Sequence, residues 1–368
     1  MSWVVLAVVM FLAWSNGSND NFKGVATIYG SGTASYRASL WWATITTVAG
    51  SMLTLALAAG LLDTFSAKGL VPDAVAASST FLAAAALGAA VTVLAATVIG
   101  MPVSTTHALT GALIGAGVSS GSGVHFGVLG KSFLLPLILS PVLAMALTTG
   151  LYPLARALRA RLGIERQSCV CIGEELAPVA MAADGSGAVD GRVRLAVSAG
   201  ASCVDRYPGA VVGVSAQCAL DTMHFVSAGA VCFARGLNDT PKIVAILLAA
   251  KAVGAPIGLG GVAVAMALGG LLGARKVADT MSKKIVTLNA GQGFVANVTT
   301  AALVIAASRF GLPVSTTHVA TGGLFGIGAI NGTAKGKTIV SILIAWLTTL
   351  PMGAAVAALA YFALAALQ

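Results

Sequence analysis

The hexapeptide Pro-Val-Ser-Thr-Thr-His occurs twice in this chain, at Pro102–His107 and at Pro313–His318. Each copy places three hydroxyl side chains two to four residues after a proline, and helices commonly begin near proline. The first turn of a helix has backbone N–H groups without internal partners, and its dipole favours negative charge. Two such segments that face each other would surround a tetrahedral oxyanion with neutral donors. We therefore predict an anion-binding site formed by both hydroxyl triplets: Ser104, Thr105, Thr106, Ser315, Thr316 and Thr317.

A single copy of this motif would be explained equally well by helix capping, or by hydroxyl groups that bond to backbone carbonyls within lipid. The repetition of six identical residues, in register with other repeated elements, favours binding. Each triplet ends in a histidine, His107 or His318. Because histidine titrates near physiological pH, these rings could relay a proton or orient a hydroxyl. Alternatively, each ring only holds its segment through a backbone carbonyl.

An Asn-Asp pair precedes each hexapeptide, Asn19-Asp20 in the first half and Asn238-Asp239 in the second. A carboxylate within an apolar helix is costly and is functional by default. Together with the carbonyls of a broken helix, each pair would make an all-oxygen cation site that suits Na⁺, or a carboxyl that binds a proton. We therefore predict that both pairs couple a cation to transport.

A lysine follows each aspartate by three residues, Lys23 after Asp20 and Lys242 after Asp239, so each pair lies on one helical face. The ammonium could form a structural ion pair that weakens the case for a bound metal ion. It could equally attract an anionic substrate. In either case Lys23 and Lys242 would modulate the electrostatics of the site. Spacing alone leaves both interpretations open.

The composition is that of a membrane protein. Charged residues are 9% of the 368 residues and hydrophobic ones 57%, against about 25% charged in a soluble domain. Since about 20 helical residues cross a hydrocarbon core, the sequence predicts an all-α polytopic fold, with Met1–Trp14 as part of a membrane helix and not a signal peptide. Six apolar runs have transmembrane length: Leu40–Leu62, Phe81–Gly100, Phe126–Leu151, Pro256–Gly273, Ile285–Ala307 and Thr338–Leu367.

We divide the chain into an N-terminal membrane repeat (1–154), a water-exposed insert (155–221) and a C-terminal membrane repeat (222–368). The insert holds the alternating stretch Arg192–Val197, which is typical of a half-exposed strand and predicts a β-hairpin. Each repeat is expected to contain a first helix broken at the Asn-Asp pair and a re-entrant hairpin with the hexapeptide at its tip. Such non-helical backbone at membrane depth requires protein or a wet cavity around it.

This division gives three crossings per repeat, so the second repeat is inverted relative to the first. The positive-inside rule supports inversion, because it then places most basic residues on one side, with Lys68 and Lys131 on the other. The insert would be cytoplasmic and both termini external. The net charge of +9 therefore reflects topology and contact with anionic lipid, and we expect no nucleic-acid partner.

The cysteines carry little functional signal. Four of the five lie in the insert, at Cys169, Cys171, Cys203 and Cys218, and the fifth is Cys232. A cytoplasmic insert makes disulfides unfavourable. Cys169-Val-Cys171 lacks the two-residue spacer that is usual in zinc sites, so we expect neither a metal site nor a cofactor.

The paired motifs resemble those of the inorganic phosphate transporter family, which includes eukaryotic sodium–phosphate cotransporters. The family's Gly-Ala-Asn-Asp element is matched by Gly17–Asp20 and Gly236–Asp239, and its Pro-x-Ser-Thr-Thr-His element is intact twice. Lys337–Trp346 is similar to the family's last span. The resemblance covers both membrane halves and leaves out the insert.

The resemblance implies an inverted-repeat symporter, commonly a homodimer, that moves inorganic phosphate with Na⁺ or H⁺ through the plasma (inner) membrane. It assigns phosphate binding to the two Ser-Thr-Thr tips, and cation coupling to the region of the two Asn-Asp pairs. Many sodium-coupled relatives have a second asparagine where Lys23 and Lys242 stand, and a lysine there is similar to some proton-coupled bacterial members. We therefore favour H⁺ over Na⁺, with sulfate or a metal–phosphate complex as alternative substrates.

Two other classes of function fit the residues less well. An anion channel would need a continuous polar pore, whereas the sequence offers two compact polar clusters. A membrane-embedded hydrolase would need a metal cluster or an activated nucleophile. Ser104 and His107 are close in sequence, but no third orienting acid accompanies them. We accordingly expect a transporter and not an enzyme.

Overall fold

A computed structural model describes residues 1–165, 168–178, 189–199 and 212–367 of the chain. The chain divides into two compact units. The larger unit comprises Met1–Leu151 together with His224–Gln368, and the smaller one comprises Tyr152–Met223.

The larger unit is helical, and its long helices follow the same order in both halves. The first half contains α1 (Ser2–Asp20), α2 (Ala26–Gly30), α3 (Tyr36–Met52), α4 (Thr54–Leu57), α5 (Gly60–Thr64), α6 (Asp73–Ala76), α7 (Ser79–Val98), α8 (Thr105–Ser119) and α9 (Phe126–Arg161), which includes a π-helical segment at Leu129–Leu134. The second half contains α10 (Ala216–Ala249), α11 (Ala255–Gly273), α12 (Arg275–Asp279), a π-helical segment at Thr280–Lys284, α13 (Ala290–Arg309), α14 (Thr316–Asn331) and α15 (Gly336–Ala365).

Five helices of the described residues are long and apolar enough to cross a bilayer: α7, α9, α11, α13 and α15. They account for five of the six predicted runs. The sixth run, Leu40–Leu62, does not form one helix, because α3 ends at Met52 and the short helices α4 and α5 follow. Of the apolar window in α7, 72% is buried, against 22% in α9 and in α15. Helix α7 therefore belongs to the core, and α9 and α15 present most of their surface to lipid.

The prediction that the first helix of each half is broken holds only for the first half. Helix α1 ends at Asp20, and two tight turns lead to α2. Helix α10 instead continues through Asn238 and Asp239 and contains Pro241. The sequences differ at Gly24, which approaches Cys232 closely and disfavours helix by about 1 kcal/mol relative to alanine. The second half has Ile243 in the same place and continues into an apolar run that the core buries.

The two halves interlock through reciprocal glycine contacts between their first and second long helices. In one contact, Gly17 of α1 packs on the backbone of Met266 in α11. In the other, Gly236 of α10 packs on the backbone of Thr47 in α3. A shift of 219 residues, the same that separates Asn16 from Arg235, converts one contact into the other. Each half thus donates its first helix to the second helix of the other half, which fits the close backbone approach of small residues in membrane bundles.

The same exchange recurs at the helices that follow the hexapeptides. Gly111 of α8 packs against the carbonyl of Leu350 in α15, and Gly322 of α14 packs against the carbonyl of Pro141 in α9. Helices of the two halves therefore pack directly on each other. This interlocking brings the repeated polar motifs to the contact between the halves.

The smaller unit contains an antiparallel sheet of three strands in the order β2-β1-β3. The strands are β1 (Ser168–Pro178), β2 (Val189–Ala199) and β3 (Val212–Ser215). The predicted strand at Arg192–Val197 lies within β2, paired with β1. Cys203 lies outside the described residues, and within those residues no group of three or more His, Cys, Asp or Glu side chains is placed to hold a metal ion.

Candidate functional site

Each hexapeptide forms a break between two helices, followed by a new helix that its serine caps. Helix α7 ends at Val98, the backbone is extended at Ser104, and α8 begins at Thr105. Ser104 Oγ accepts a hydrogen bond from the His107 N–H at 3.1 Å. In the second copy, Ser315 Oγ accepts from the His318 N–H at 3.2 Å. Capping therefore occurs at both tips, and it leaves the proton of each serine hydroxyl free to bind another acceptor.

The two tips touch each other reciprocally. The hydroxyl of Thr106 donates to the backbone carbonyl of Val314 at 3.3 Å. The hydroxyl of Thr317 donates to the backbone carbonyl of Val103 at 2.9 Å. The two predicted halves of the anion site, which are about two hundred residues apart in the chain, are thus adjacent in space.

Lys23 joins the first aspartate to both tips. Its ammonium donates to the Asp20 carboxylate, to the backbone carbonyl of Val103 at 2.6 Å and to the hydroxyl of Thr317 at 2.6 Å. Only 4% of Lys23 and 1% of Asp20 are exposed. Because a buried ammonium without partners is very unfavourable, these three oxygens are what allows the charge to lie here.

Lys242 makes the equivalent contacts in the second half. Its ammonium donates to the hydroxyl of Thr106 at 2.7 Å, to the backbone carbonyl of Val314 at 2.8 Å and to the Asp239 carboxylate at 3.4 Å. Each lysine therefore binds the carboxylate and the carbonyl of its own half and a threonine of the other half. The sequence left open whether these lysines would pair with the aspartates, and the structure pairs both.

The asparagines of the two Asn-Asp pairs hold the tips. The amide of Asn19 donates to the Thr97 hydroxyl at 2.9 Å and to the Met101 carbonyl at 3.0 Å, and its oxygen accepts from the Val103 N–H at 3.2 Å. The amide of Asn238 donates to the Val314 carbonyl at 3.1 Å. These contacts fix each tip against the helix that carries its aspartate.

Asn16, which sequence reasoning missed, connects the two carboxylates. Its amide nitrogen lies 3.1 Å from Asp20 Oδ2, 3.3 Å from Asp239 Oδ2 and 2.9 Å from the Thr105 hydroxyl. Thr105 also donates to Asp20 Oδ2 at 3.2 Å. The two aspartates therefore belong to one hydrogen-bonded network rather than to two separate sites.

Arg235, also missed, is the largest fully buried side chain of the described residues, at 1% exposure. Its guanidinium donates to Asn16 Oδ1 at 2.8 Å and to Asn21 Oδ1 at 3.0 Å, and its Nε lies 3.7 Å from Asp239 Oδ2. An arginine within an apolar helix is itself a functional signal, and its place four residues before Asp239 could have drawn attention to it. The site thus holds three cationic side chains against two carboxylates, a surplus that favours an anionic ligand.

The motif histidines pack against each other. The ring centroids of His107 and His318 lie 4.4 Å apart, and His318 stacks on Trp346 of α15 at 3.7 Å. His107 Nδ1 and His318 Nε2 are buried and have no hydrogen-bond partner among the described residues. The rings are therefore placed where the two tips meet, on the side of α15.

The fold and this centre define a multi-pass helical membrane protein whose two halves meet at a buried, positively charged polar site. The model of the phosphate transporter family matches residues 16–357, which include every residue of the site. The chain belongs to the phosphate transporter family.

Curated relatives and a solved structure agree with this assignment. The chain is 28% identical to a probable low-affinity inorganic phosphate transporter of Rhizobium meliloti, over 98% of this chain and 95% of that one. It is 26% identical to the chloroplastic inorganic phosphate transporter 2-1 of Arabidopsis thaliana, over 97% of this chain and 71% of that one. A solved structure, described as the sodium-dependent phosphate transporter, matches with a TM-score of 0.76 at 20% identity, over 100% of this chain and 99% of that one, and shows the fold.

Proposed function

We propose that this chain is a secondary active transporter that moves inorganic phosphate across the plasma (inner) membrane by alternating access. The observation that carries the proposal is the meeting of two hydroxyl-rich helix starts with two buried ammonium groups. Helix starts, hydroxyls and ammoniums are all donors suited to a phosphate oxyanion. The phosphate ligands would be the hydroxyls of both tips, from Ser104 to Thr106 and from Ser315 to Thr317.

The contact between the tips suggests how access alternates. Thr106 and Thr317 are now bonded to the opposite tip and to the opposite lysine. A phosphate between the tips would replace these bonds with bonds to its own oxygens. Access to either side then follows from rocking one half against the other, as in transporters built from inverted repeats with re-entrant hairpins.

Charge placement supports the inverted arrangement that we propose for the two repeats. Arg275 lies over the Tyr36 ring at 4.3 Å, Lys283 donates to Tyr29 at 2.9 Å, and Lys335 donates to the carbonyl of Lys283 at 2.7 Å. Three basic residues of the second half thus cluster beside Tyr29 and Tyr36 of the first half, on a side that would be cytoplasmic by the positive-inside rule.

We favour H⁺ over Na⁺ as the coupling ion because the predicted cation positions already hold fixed cations. Each lysine nitrogen is surrounded by a carboxylate, a backbone carbonyl and a hydroxyl. These are the oxygen donors that a hard cation uses. When Lys23 turns towards phosphate, the Asp20 carboxylate that it leaves loses its cationic partner while staying buried, and binding a proton relieves that cost.

Uptake of radiolabelled phosphate into proteoliposomes tests this proposal. We expect accumulation under an inward H⁺ gradient in choline medium, and no further gain from an inward Na⁺ gradient. Accumulation under Na⁺ alone would reverse the assignment of the ion. Absence of accumulation under both gradients would contradict phosphate transport.

Sulfate is the second candidate substrate, and one observation favours keeping it. The carboxylate oxygens at the site accept bonds from internal donors: Lys23, Asn16 and Thr105 on Asp20, and Lys242, Asn238 and Asn16 on Asp239. They are therefore engaged by internal donors, and a site rich in donors binds phosphate and sulfate through the same kind of oxygen. Competition by unlabelled sulfate in the same liposomes decides between the two anions.

Crosslinking in the membrane would test the homodimer that the resemblance implies.

A further inference from the structure

The two halves differ at the residue four positions before each aspartate. The first half has the neutral Asn16 and the second has Arg235, and these two side chains are in direct contact through a hydrogen bond of 2.8 Å. Asp239 already has Lys242 as a partner, as Asp20 has Lys23. Arg235 is therefore the charge without an equivalent, and it accounts for the whole surplus of positive charge at the site.

The guanidinium of Arg235 lies in a cage of four oxygens. They are Asn16 Oδ1 at 2.8 Å, Asn21 Oδ1 at 3.0 Å, Thr47 Oγ1 at 3.3 Å and Asp239 Oδ2 at 3.7 Å. Two amide oxygens, a hydroxyl and a carboxylate form a ligand set for a hard cation, with a single formal negative charge. Three of these four side chains come from the first half, so the cage spans the contact between the halves.

The other half has no corresponding cage. The positions that correspond to Asn21 and Thr47 hold Thr240 and Met266, and the Thr240 hydroxyl is bonded to Ser51 Oγ at 2.7 Å. Met266 offers a thioether, which hard cations avoid. The four oxygens are thus found together only around Arg235. The repeat by itself therefore does not explain their arrangement.

We propose that Arg235 is a tethered cation that fills a site for a monovalent metal ion such as Na⁺, and that it removes the need for that ion in anion transport. This inference rests on the proposed function and adds a determinant of ion specificity that is separate from the two lysines. An anion that enters the site finds its compensating charge already present. Without Arg235 the two lysines and the two aspartates would be neutral in sum, and a bound anion would require a cation from solution.

Two sets of variants test the inference. Arg235→Asn copies the residue of the other half, Arg235→Gln is a second neutral variant, and Arg235→Lys keeps the charge. The double variant Asn16→Arg with Arg235→Asn exchanges the two side chains that touch, and so returns a guanidinium to the same place. Phosphate uptake into proteoliposomes is measured in Na⁺ and in choline media at equal pH gradients. Thermal unfolding of each purified protein is measured in the same two salts without phosphate.

We expect Arg235→Asn or Arg235→Gln to lose about tenfold or more of the uptake in choline, since a buried anion loses its compensating charge, and to regain part of it in Na⁺. The same neutral variants should unfold at a higher temperature in Na⁺ than in choline, with half-maximal effect at a defined Na⁺ concentration. Arg235→Lys and the exchanged double variant should keep uptake in choline and show no preference for Na⁺.

A neutral variant that folds, transports fully in choline and is unaffected by Na⁺ would overturn the inference. If the neutral variants do not fold, an exchanged double variant that requires Na⁺ would overturn it as well, because a guanidinium would then be present without its predicted effect. The failure of the proposed function looks different. In that case the unaltered protein takes up no phosphate under any gradient, whereas Na⁺-specific stabilisation of the neutral variants is measured without substrate.

Discussion

The two halves of this transporter-family protein carry the same motifs but treat their aspartates differently. Asp20 is bound by a lysine, by Asn16 and by the Thr105 hydroxyl of its own tip. Asp239 is bound by a lysine, by Asn16 and by Arg235, and the hydroxyl of Thr316 makes no hydrogen bond within the described residues. Both aspartates therefore have a lysine and Asn16 as partners, whereas the Thr105 hydroxyl binds only Asp20 and Arg235 lies beside only Asp239.

This difference distinguishes the contacts that both halves make from the contacts that only one half makes. Reciprocal contacts, such as the two lysines and the two Thr-to-carbonyl bonds, are the parts that both halves must make for the tips to meet. Asn16 and Arg235 share one place in the repeat and bind each other, so the network needs one neutral and one charged residue there. A second arginine would bring two guanidinium groups into contact, at a high electrostatic cost.

The largest effect is expected from removing the tip hydroxyls. Ser104→Ala with Thr105→Ala, and Ser315→Ala with Thr316→Ala, should each abolish phosphate uptake, because each pair removes donors from one side of the anion. Uptake into proteoliposomes measures this, with membrane insertion as the control. Both pairs lose a helix-capping serine, but the first pair should lower the unfolding temperature more, since Thr105 bonds to Asp20 and Thr316 lacks such a bond. Full transport by either variant would contradict the two-tip model.

The interlocking glycines should give the next largest effect. A Cβ at Gly17 would overlap the backbone of Met266, and one at Gly236 would overlap that of Thr47. Overpacking of this kind costs about 1–3 kcal/mol or more, so Gly17→Ala and Gly236→Ala should lower the unfolding temperature to a similar extent. Gly260→Ala is the control, because nothing lies within 4 Å of a Cβ there. Unequal effects of the two core variants would show that the halves do not share this contact.

Lys23→Asn combined with Lys242→Asn should shift the coupling ion. Both ammoniums are removed and two oxygen-lined positions become vacant, so we expect uptake to be reduced and to depend on Na⁺. Uptake is compared in Na⁺ and choline media, with Lys23→Arg as a variant that keeps the charge. Uptake by the double variant that stays independent of Na⁺ would show that the lysines do not stand in for cations.

The repeated motifs predicted much of the site, because identical hexapeptides and Asn-Asp-x-x-Lys elements report directly on pairing. Spacing placed Lys23 and Lys242 on the helical faces of Asp20 and Asp239 and left open whether they pair, and the structure shows both ion pairs. Spacing did not predict that each lysine binds a threonine of the other half. That contact depends on how the helices of the two halves pack on each other. The prediction of two broken helices was wrong for the second half, where the helix runs through Asn238 and Asp239 in spite of Pro241, and where the run that follows is buried in the core.

Arg235 and Asn16 escaped prediction for a related reason. Each of them lies in an apolar helix, close to the more prominent Asn-Asp motif. Their significance lies in a contact across 219 residues that no local pattern encodes. An alignment of the two repeats shows the signal that could have found them. At the position four residues before the aspartate, one repeat has a neutral residue and the other a charged one.

The smallest effect is expected at the histidine pair, and it should again distinguish the halves. His318 is buried against both Trp346 and His107, whereas His107 is partly exposed. His318→Ala should therefore cost more stability, roughly 2 kcal/mol because a packed ring leaves a cavity, and His107→Ala should cost less than about 1 kcal/mol. Thermal unfolding of the two variants measures the difference. If both unfold like the unaltered protein but lose H⁺-driven uptake, the rings act on the proton, and the interpretation that they only hold the tips fails.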